Sequence, residues 1–240
     1  SIVNNRQRAL MSRALNEIKS LRKELEELRS EKNETIVVVG IGCRFPGNSE
    51  NPEKLWDFLS AGGDGLIDPL PDRWNASELF DKDYDSPGKI CSPKGGFLKD
   101  GMSFDAGFFG IAPIEAESLD PQQAILLETV WQAFENANIS PSSVYNSNTG
   151  VFIGASSPDN ATNLMGSSLE EIDAYHGTGC AFGPLAGRIS YQFGFTGPSF
   201  VVDTACSSSL VSLHLAIDSL KKGECDLAVA GGVQINSHPG

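Results

Sequence analysis

No stretch of this chain approaches the ~20 consecutive apolar residues that a membrane helix needs, and its first segment is charged throughout, so no membrane partner is expected. Basic side chains are also scarce: 18 Lys and Arg stand against 31 Asp and Glu, a formal charge of −13. Residues 1–34 hold eight of the cations and six of the acids, which leaves −15 on the remainder. Such an acidic body argues against nucleic-acid binding, which requires basic surface. Cysteine is sparse as well. Cys43, Cys91, Cys180, Cys206 and Cys225 are odd in number and widely spaced, contain no C-x-x-C pair and follow no secretory leader. A reducing, cytoplasmic setting is the expectation. In that setting the Asn-x-Ser/Thr triplets at Asn33, Asn75, Asn138 and Asn160 are chance matches. Internal repeats and low-complexity tracts are likewise missing, which excludes solenoid and tail-like architectures.

What is present begins with a helix signal. From about Asn5 to Lys32 there is no Gly or Pro, and Met11, Ala14, Ile18, Leu21, Leu25 and Leu28 recur at alternating three- and four-residue spacing. This is a heptad seam, and it predicts a coiled coil. With Met11, Ile18 and Leu25 at the a positions, Glu17 and Glu24 fall at g and Arg22 and Arg29 at e, where a parallel partner would pair them. A parallel homodimer is one reading. The other is a single amphipathic helix lying on its own domain, since three heptads are short. Residues 1–33 are therefore set apart from residues 34–240.

After Asn33 the pattern changes to Thr35-Ile-Val-Val-Val-Gly, a β-branched run ended by glycine that predicts a buried strand. Residues 150–154, 199–204 and 226–232 have the same short, apolar, Gly- or Pro-bounded character. Helices are predicted over 121–137, 182–193 and 206–222. Strands and helices interleave, so the fold class is an α/β sheet with helical cover and one sizeable core. Residues 62–110 are rich in Gly, Pro and Asp and predict an irregular surface excursion.

The sharpest local feature is Val201-Val-Asp-Thr-Ala-Cys206-Ser-Ser-Ser-Leu, a strand passing through small residues into an amphipathic helix. A thiol at that turn would feel the positive end of the helix dipole, which favours the thiolate that attacks carbonyls. Ala205 and Ser207 to Ser209 leave room for a substrate. The geometry is that of a nucleophile elbow, without the usual G-x-S-x-G glycines. The alternative is that Cys206 is a small hydrophobe at a strand end.

Asp203-Thr-Ala-Cys206-Ser-Ser-Ser-Leu resembles the active-site signature of β-ketoacyl synthases in modular polyketide synthases. Val39-Gly-Ile-Gly-Cys-Arg-Phe-Pro-Gly47, Phe108-Phe-Gly-Ile, Asp120-Pro-Gln-Gln, Ala186-Gly-Arg-Ile-Ser-Tyr191, Gly197-Pro-Ser and Gly231-Gly-Val follow in the family's order, from about residue 35 to the end. The leading helix resembles the docking coiled coil that precedes some ketosynthases. The resemblance implies a thiolase-like fold, a layered αβαβα sandwich that is usually homodimeric, with this chain supplying roughly its first half.

It also implies a two-step condensation. Cys206 accepts an acyl chain from the phosphopantetheine thioester of an acyl carrier protein; a malonyl-type extender then loses carbon dioxide and attacks. In the family the second step uses two histidines and a lysine well beyond the cysteine, past residue 240. Implied partners are the acyl carrier protein, a second copy of the chain, and an upstream synthase subunit meeting the leading helix; no cofactor or metal is implied for this domain. A docking and dimerisation module without independent catalysis is the alternative function.

Other candidates have structural readings. Tyr175-His176-Gly-Thr-Gly-Cys resembles a catalytic His-Gly-Thr-Gly-Thr by letters, but it precedes the cysteine, so His176 is read as non-catalytic. His214 is read as a packed or capped side chain two turns along its helix. Gly40-Ile-Gly42 has Phe45 where a dinucleotide fingerprint needs glycine, and His176 with Cys180 is too small a set for zinc. Glu115, Glu117 and Asp120 are read as capping groups ahead of Pro121. Asp203 is read as holding the turn before Cys206. Ala124 stands where relatives commonly have Arg, which leaves any ion pair there in doubt.

Overall fold

The computed structural model of the chain describes residues 11–24, 35–157, 159–166 and 172–239. It divides into two units, Ser1–Val37 and Val38–Gly240. In the first, residues 11–24 form helix α1. Met11, Ile18 and Leu21 of the expected seam are exposed along it. Leu25 and Leu28, and both flanks of the predicted 5–32 helix, lie outside the described residues.

In chain order the second unit contains helix α2 (Pro52–Ser60), strand β1 (Leu66–Ile67), helix α3 (Ala76–Leu79), strand β2 (Gly95–Gly96), and helices α4 (Pro113–Ser118) and α5 (Pro121–Asn136). Strand β3 (Thr149–Gly154) and helices α6 (Asp159–Met165), α7 (His176–Cys180) and α8 (Gly183–Phe193) follow, then strand β4 (Ser199–Val202), helix α9 (Ser208–Lys221) and strand β5 (Leu227–Gly232). The three long strands form a parallel sheet in the order β4-β3-β5, with Val151 opposite Ser199 and Val229.

β3 is buried along its whole length, as an apolar strand covered on both faces must be. Side chains alternate across it. Val151 and Ile153 enter the main core with Leu127 and Phe134 of α5 and Leu185 and Ile189 of α8. Phe152 points the other way, onto Ala216 of α9 and Cys225. Helices therefore cover both faces of the sheet, which is the α/β layering that interleaved elements demand. α5 starts where its sequence says it should: Asp120 accepts a hydrogen bond from the Gln122 backbone N–H at 2.8 Å and Pro121 occupies the first turn. Gly194, at φ +69°, ends α8 in the left-handed conformation that glycine adopts without penalty.

Thr35–Gly40, expected to be a buried strand, is not one. Residues 35–44 make no ladder among the described residues, and Val37, Val38 and Val39 are exposed. An apolar run becomes a strand only when another strand satisfies its backbone, and none among the described residues lies beside this one. Its glycines instead let the backbone lie against α5. A Cβ added at Gly40 would meet Ala133 O at 2.4 Å, and one at Gly42 would meet Thr129 O at 2.3 Å. The Ile41 N–H donates to Asn136 Oδ1 at 2.9 Å.

The excursion over 62–110 is mostly irregular, as its composition predicts, but it is pinned by the β1-β2 pairing and by Trp74 edge-on to Phe97 at 5.3 Å. Helix α2 was not predicted. Asn51 caps it by accepting from the Lys54 N–H at 2.8 Å, and Pro52 opens it. The helix expected over 206–222 begins at Ser208, so Cys206 stands in the turn ahead of it.

Candidate active site

β4 leaves the sheet at Val202 and the chain reverses over Asp203 to Ser207 into α9. Ala205 sits at φ +55°, a left-handed conformation that costs a residue with a Cβ roughly 1–2 kcal/mol. The neighbouring side chains hold it there. Asp203 Oδ1 accepts from the Ala205 N–H at 2.9 Å, as expected for a turn-holding aspartate. Ser208 Oγ accepts from the Thr204 N–H at 2.9 Å and donates to Ala205 O at 2.7 Å. Ser207 Oγ reaches Thr204 O at 2.8 Å and Thr204 Oγ1 at 2.9 Å. Cys206 is left exposed at the tip of this turn.

The turn can sit so close to the sheet because β3 and β5 both end in glycine. A Cβ at Gly154 would meet the Ser208 carbonyl carbon at 2.4 Å, and one at Gly232 would meet Ser209 Cβ at 2.6 Å. Ser212, fully buried, has its Oγ 2.9 Å from Gly231 O, which ties α9 to β5. Small residues in this stretch are thus a packing requirement as much as room for a substrate.

Cys206 lines a cavity of about 670 Å³ at the carboxyl ends of the parallel strands, the place where open α/β sheets bind ligands. The walls come from the loop after Gly42, from Arg73 and Phe97 of the excursion, from Ile125 of α5, and from the segments that follow β3 and β5. Cys43 lies on the same wall, and burial pushes its thiol up, with Glu53 adding to the effect. Arg44 pairs with Glu128 at 2.6 Å.

None of the three histidines lines this cavity. His176 opens the short α7, whose Gly179 O accepts from the Asp120 N–H at 3.1 Å. His214 is exposed on α9 rather than packed, because that helix turns its outer face, with Leu210 and Leu213, to solvent. The His238 N–H donates to Asp159 Oδ2 at 3.0 Å. Of the acidic trio, only Asp120 caps α5; Glu115 pairs with Arg188 at 2.7 Å, and Glu117 is exposed. Burial raises the pKa of Asp120 against the opposing pull of its hydrogen bonds from Gln122. Ala124 is a buried core residue, and Arg188 also bonds Gln123 Oε1 at 3.0 Å.

The sequence profile of the family described as "Beta-ketoacyl synthase, N-terminal domain" matches residues 33–240. The chain belongs to the β-ketoacyl synthase family. Among curated β-ketoacyl synthase relatives, it is 45% identical over 230 residues to polyketide synthase GfsB of Streptomyces halstedii, 95% of this chain and 4% of GfsB. It is 44% identical over 240 residues to the spectinabilin polyketide synthase system protein NorC of Streptomyces orinoci, 99% of this chain and 10% of NorC. Erythronolide synthase EryA2 of Saccharopolyspora erythraea is 47% identical over 211 residues, 88% of this chain and 6% of EryA2. The chain thus spans a tenth or less of the length of these three proteins.

Among solved structures, the oxazolomycin ketosynthase domain OzmH KS7 of Streptomyces albus superposes with a TM-score of 0.76 at 38% identity, over 86% of this chain and 36% of that one. The thiolase-like α/β fold inferred from the sequence is the fold of this ketosynthase chain. Among its described residues no helix is long and apolar enough to cross a membrane.

Proposed function

We propose that this chain is the nucleophile-bearing part of a ketosynthase in a polyketide assembly line, with Cys206 as the acyl acceptor. The observation that carries the reading is the exposed Cys206 on a strained, hydrogen-bonded turn at the wall of the cavity. The family membership supports it.

In the first step the Cys206 thiolate attacks the carbonyl carbon of an acyl thioester on the phosphopantetheine of an acyl carrier protein. The tetrahedral intermediate collapses by breaking the bond to the pantetheine sulfur, and that thiolate leaves to take up the proton Cys206 gave away. Cys206 stands in the turn just ahead of α9, by the positive end of that helix. In the second step the bound acyl group is attacked by the carbanion that a malonyl-type extender yields on losing carbon dioxide. The family resemblance assigns decarboxylation to two histidines and a lysine, and no histidine is among the described residues that line this cavity.

Incubation with a simple acyl thioester and intact-mass measurement tests the first step. One acyl increment is expected, and its loss in Cys206→Ala; an increment that survives in the variant would assign the chemistry to another cysteine. The docking role of α1 is separable. Leu21→Asp is expected to abolish pairing with a second copy or an upstream subunit, measured by light scattering, while the acyl increment persists.

A further inference from the structure

The walls of the Cys206 cavity carry two arginines, Arg44 and Arg73, and no carboxylate, although the chain as a whole is strongly acidic. The two cations are not alike. Arg44 is neutralised by Glu128 at 2.6 Å. The Arg73 side chain is only 1% exposed, yet among the described residues its one ionic contact is Nη1 to Asp72 at 3.4 Å, through a carboxylate that is itself about half exposed at 52%. Nη2 reaches Leu98 O at a long 3.5 Å, and Nε, buried, has no hydrogen-bond partner.

A guanidinium offers five N–H donors in a fixed plane, and burying one without full pairing is costly. Burial pushes its pKa below arginine's ordinary range, with Asp72 opposing. A buried cation short of partners, on the wall of a cavity that also holds a nucleophile, is arranged to receive an anion from outside the chain.

We propose that Arg73 is an anion-binding residue of the Cys206 cavity, its Nε and long-bonded Nη donors engaging an anionic oxygen of the incoming substrate. The proposal rests on the reading of Cys206 as acyl acceptor. Two groups of the inferred reaction share the required chemistry: the carboxylate of a malonyl-type extender and the phosphodiester of the pantetheine arm. Arg73 binds and orients substrate and does not itself react.

Alkylation of Cys206 by anionic iodoacetate and by neutral iodoacetamide, followed by peptide mass mapping, reads this directly. The exposed Cys91 is the internal reference. The iodoacetate-to-iodoacetamide rate ratio is expected to be roughly tenfold higher at Cys206 than at Cys91 in the unmodified chain. Arg73→Gln should abolish the preference, Arg73→Lys should retain part of it, and Arg44→Gln should leave most of it. Circular dichroism checks that the variants fold, and the lysine variant carries the test if the glutamine variant does not.

Malonate slowing the iodoacetate reaction at Cys206 would assign the extender carboxylate, and inorganic phosphate slowing it would assign the pantetheine phosphate. Equal ratios at the two cysteines, a preference untouched in Arg73→Gln, or indifference to both anions would each overturn the proposal. Acyl labelling of the unmodified chain separates the two readings. An acylated Cys206 without anion preference sinks the arginine proposal alone, and an anion preference without acylation sinks only the nucleophile assignment.

Discussion

Val38–Gly42 and Thr149–Gly154 are nearly the same sequence idea, a β-branched apolar run punctuated by glycine, and they end in opposite environments. In the second, Ile153 is 1% exposed at the centre of a parallel sheet; in the first, Ile41 is 52% exposed and pairs with no strand. Pattern alone therefore does not make a strand. β3 has β4 and β5 on either side, whereas residues 38–42, among the described residues, lie along the flank of α5 and beside no strand. The glycines tell the opposite story, since both segments use them to bring backbone against a helix.

Matched substitutions test how deep the difference runs. The largest effect is expected from Ile153→Ala, a loss of about 2–5 kcal/mol in urea unfolding, because it opens a hole among α5, α8 and the sheet. Gly42→Ala and Gly154→Ala should come next and resemble each other, at roughly 1–3 kcal/mol. In both an added Cβ lands 2.3 or 2.4 Å from helix backbone that has no rotamer with which to yield. A large gap between them would mean that only β3 is held rigidly against its helix. The smallest effect is expected from Ile41→Ala, within about 0.5 kcal/mol, as for surface positions generally. A loss near that of Ile153→Ala would show that residues 38–42 are buried in solution against something that the described residues do not include.

The same contrast explains how much was readable beforehand. α5, α8, β3 and β5 announce themselves because their signals are local: Asp120-Pro121 opens one helix, Gly194 closes another, and continuous apolar runs mark the strands. The turn that carries Cys206 is legible for a similar reason, as a strand, small residues and a helix follow one another without a break. Residues 38–42 misled because the missing ingredient is a neighbour, which no window of sequence contains. Helix α2 was overlooked although Asn51-Pro52 is a fair opening signal, its apolar face being shallow and largely exposed.

The left-handed Ala205 was invisible because its cause lies in hydroxyls that bond across the turn, and serines in sequence look merely small. Arg73 lies inside a stretch whose composition predicts only an irregular excursion. It is the single arginine of a stretch whose other cations are lysines, which is the faint signal it leaves in sequence.

The hydrogen bonds that fix the turn around Cys206 run through Asp203, Thr204, Ser207, Ser208 and the backbone, and none of them uses the thiol. Scaffold and reagent are thus independent parts. Replacing the sulfur by a hydroxyl or a hydrogen leaves every strut of the turn in place, so such a variant should still present the same cavity wall. Such variants separate the shape of the site from its chemistry: under the proposed function they lose the acyl acceptor and nothing else.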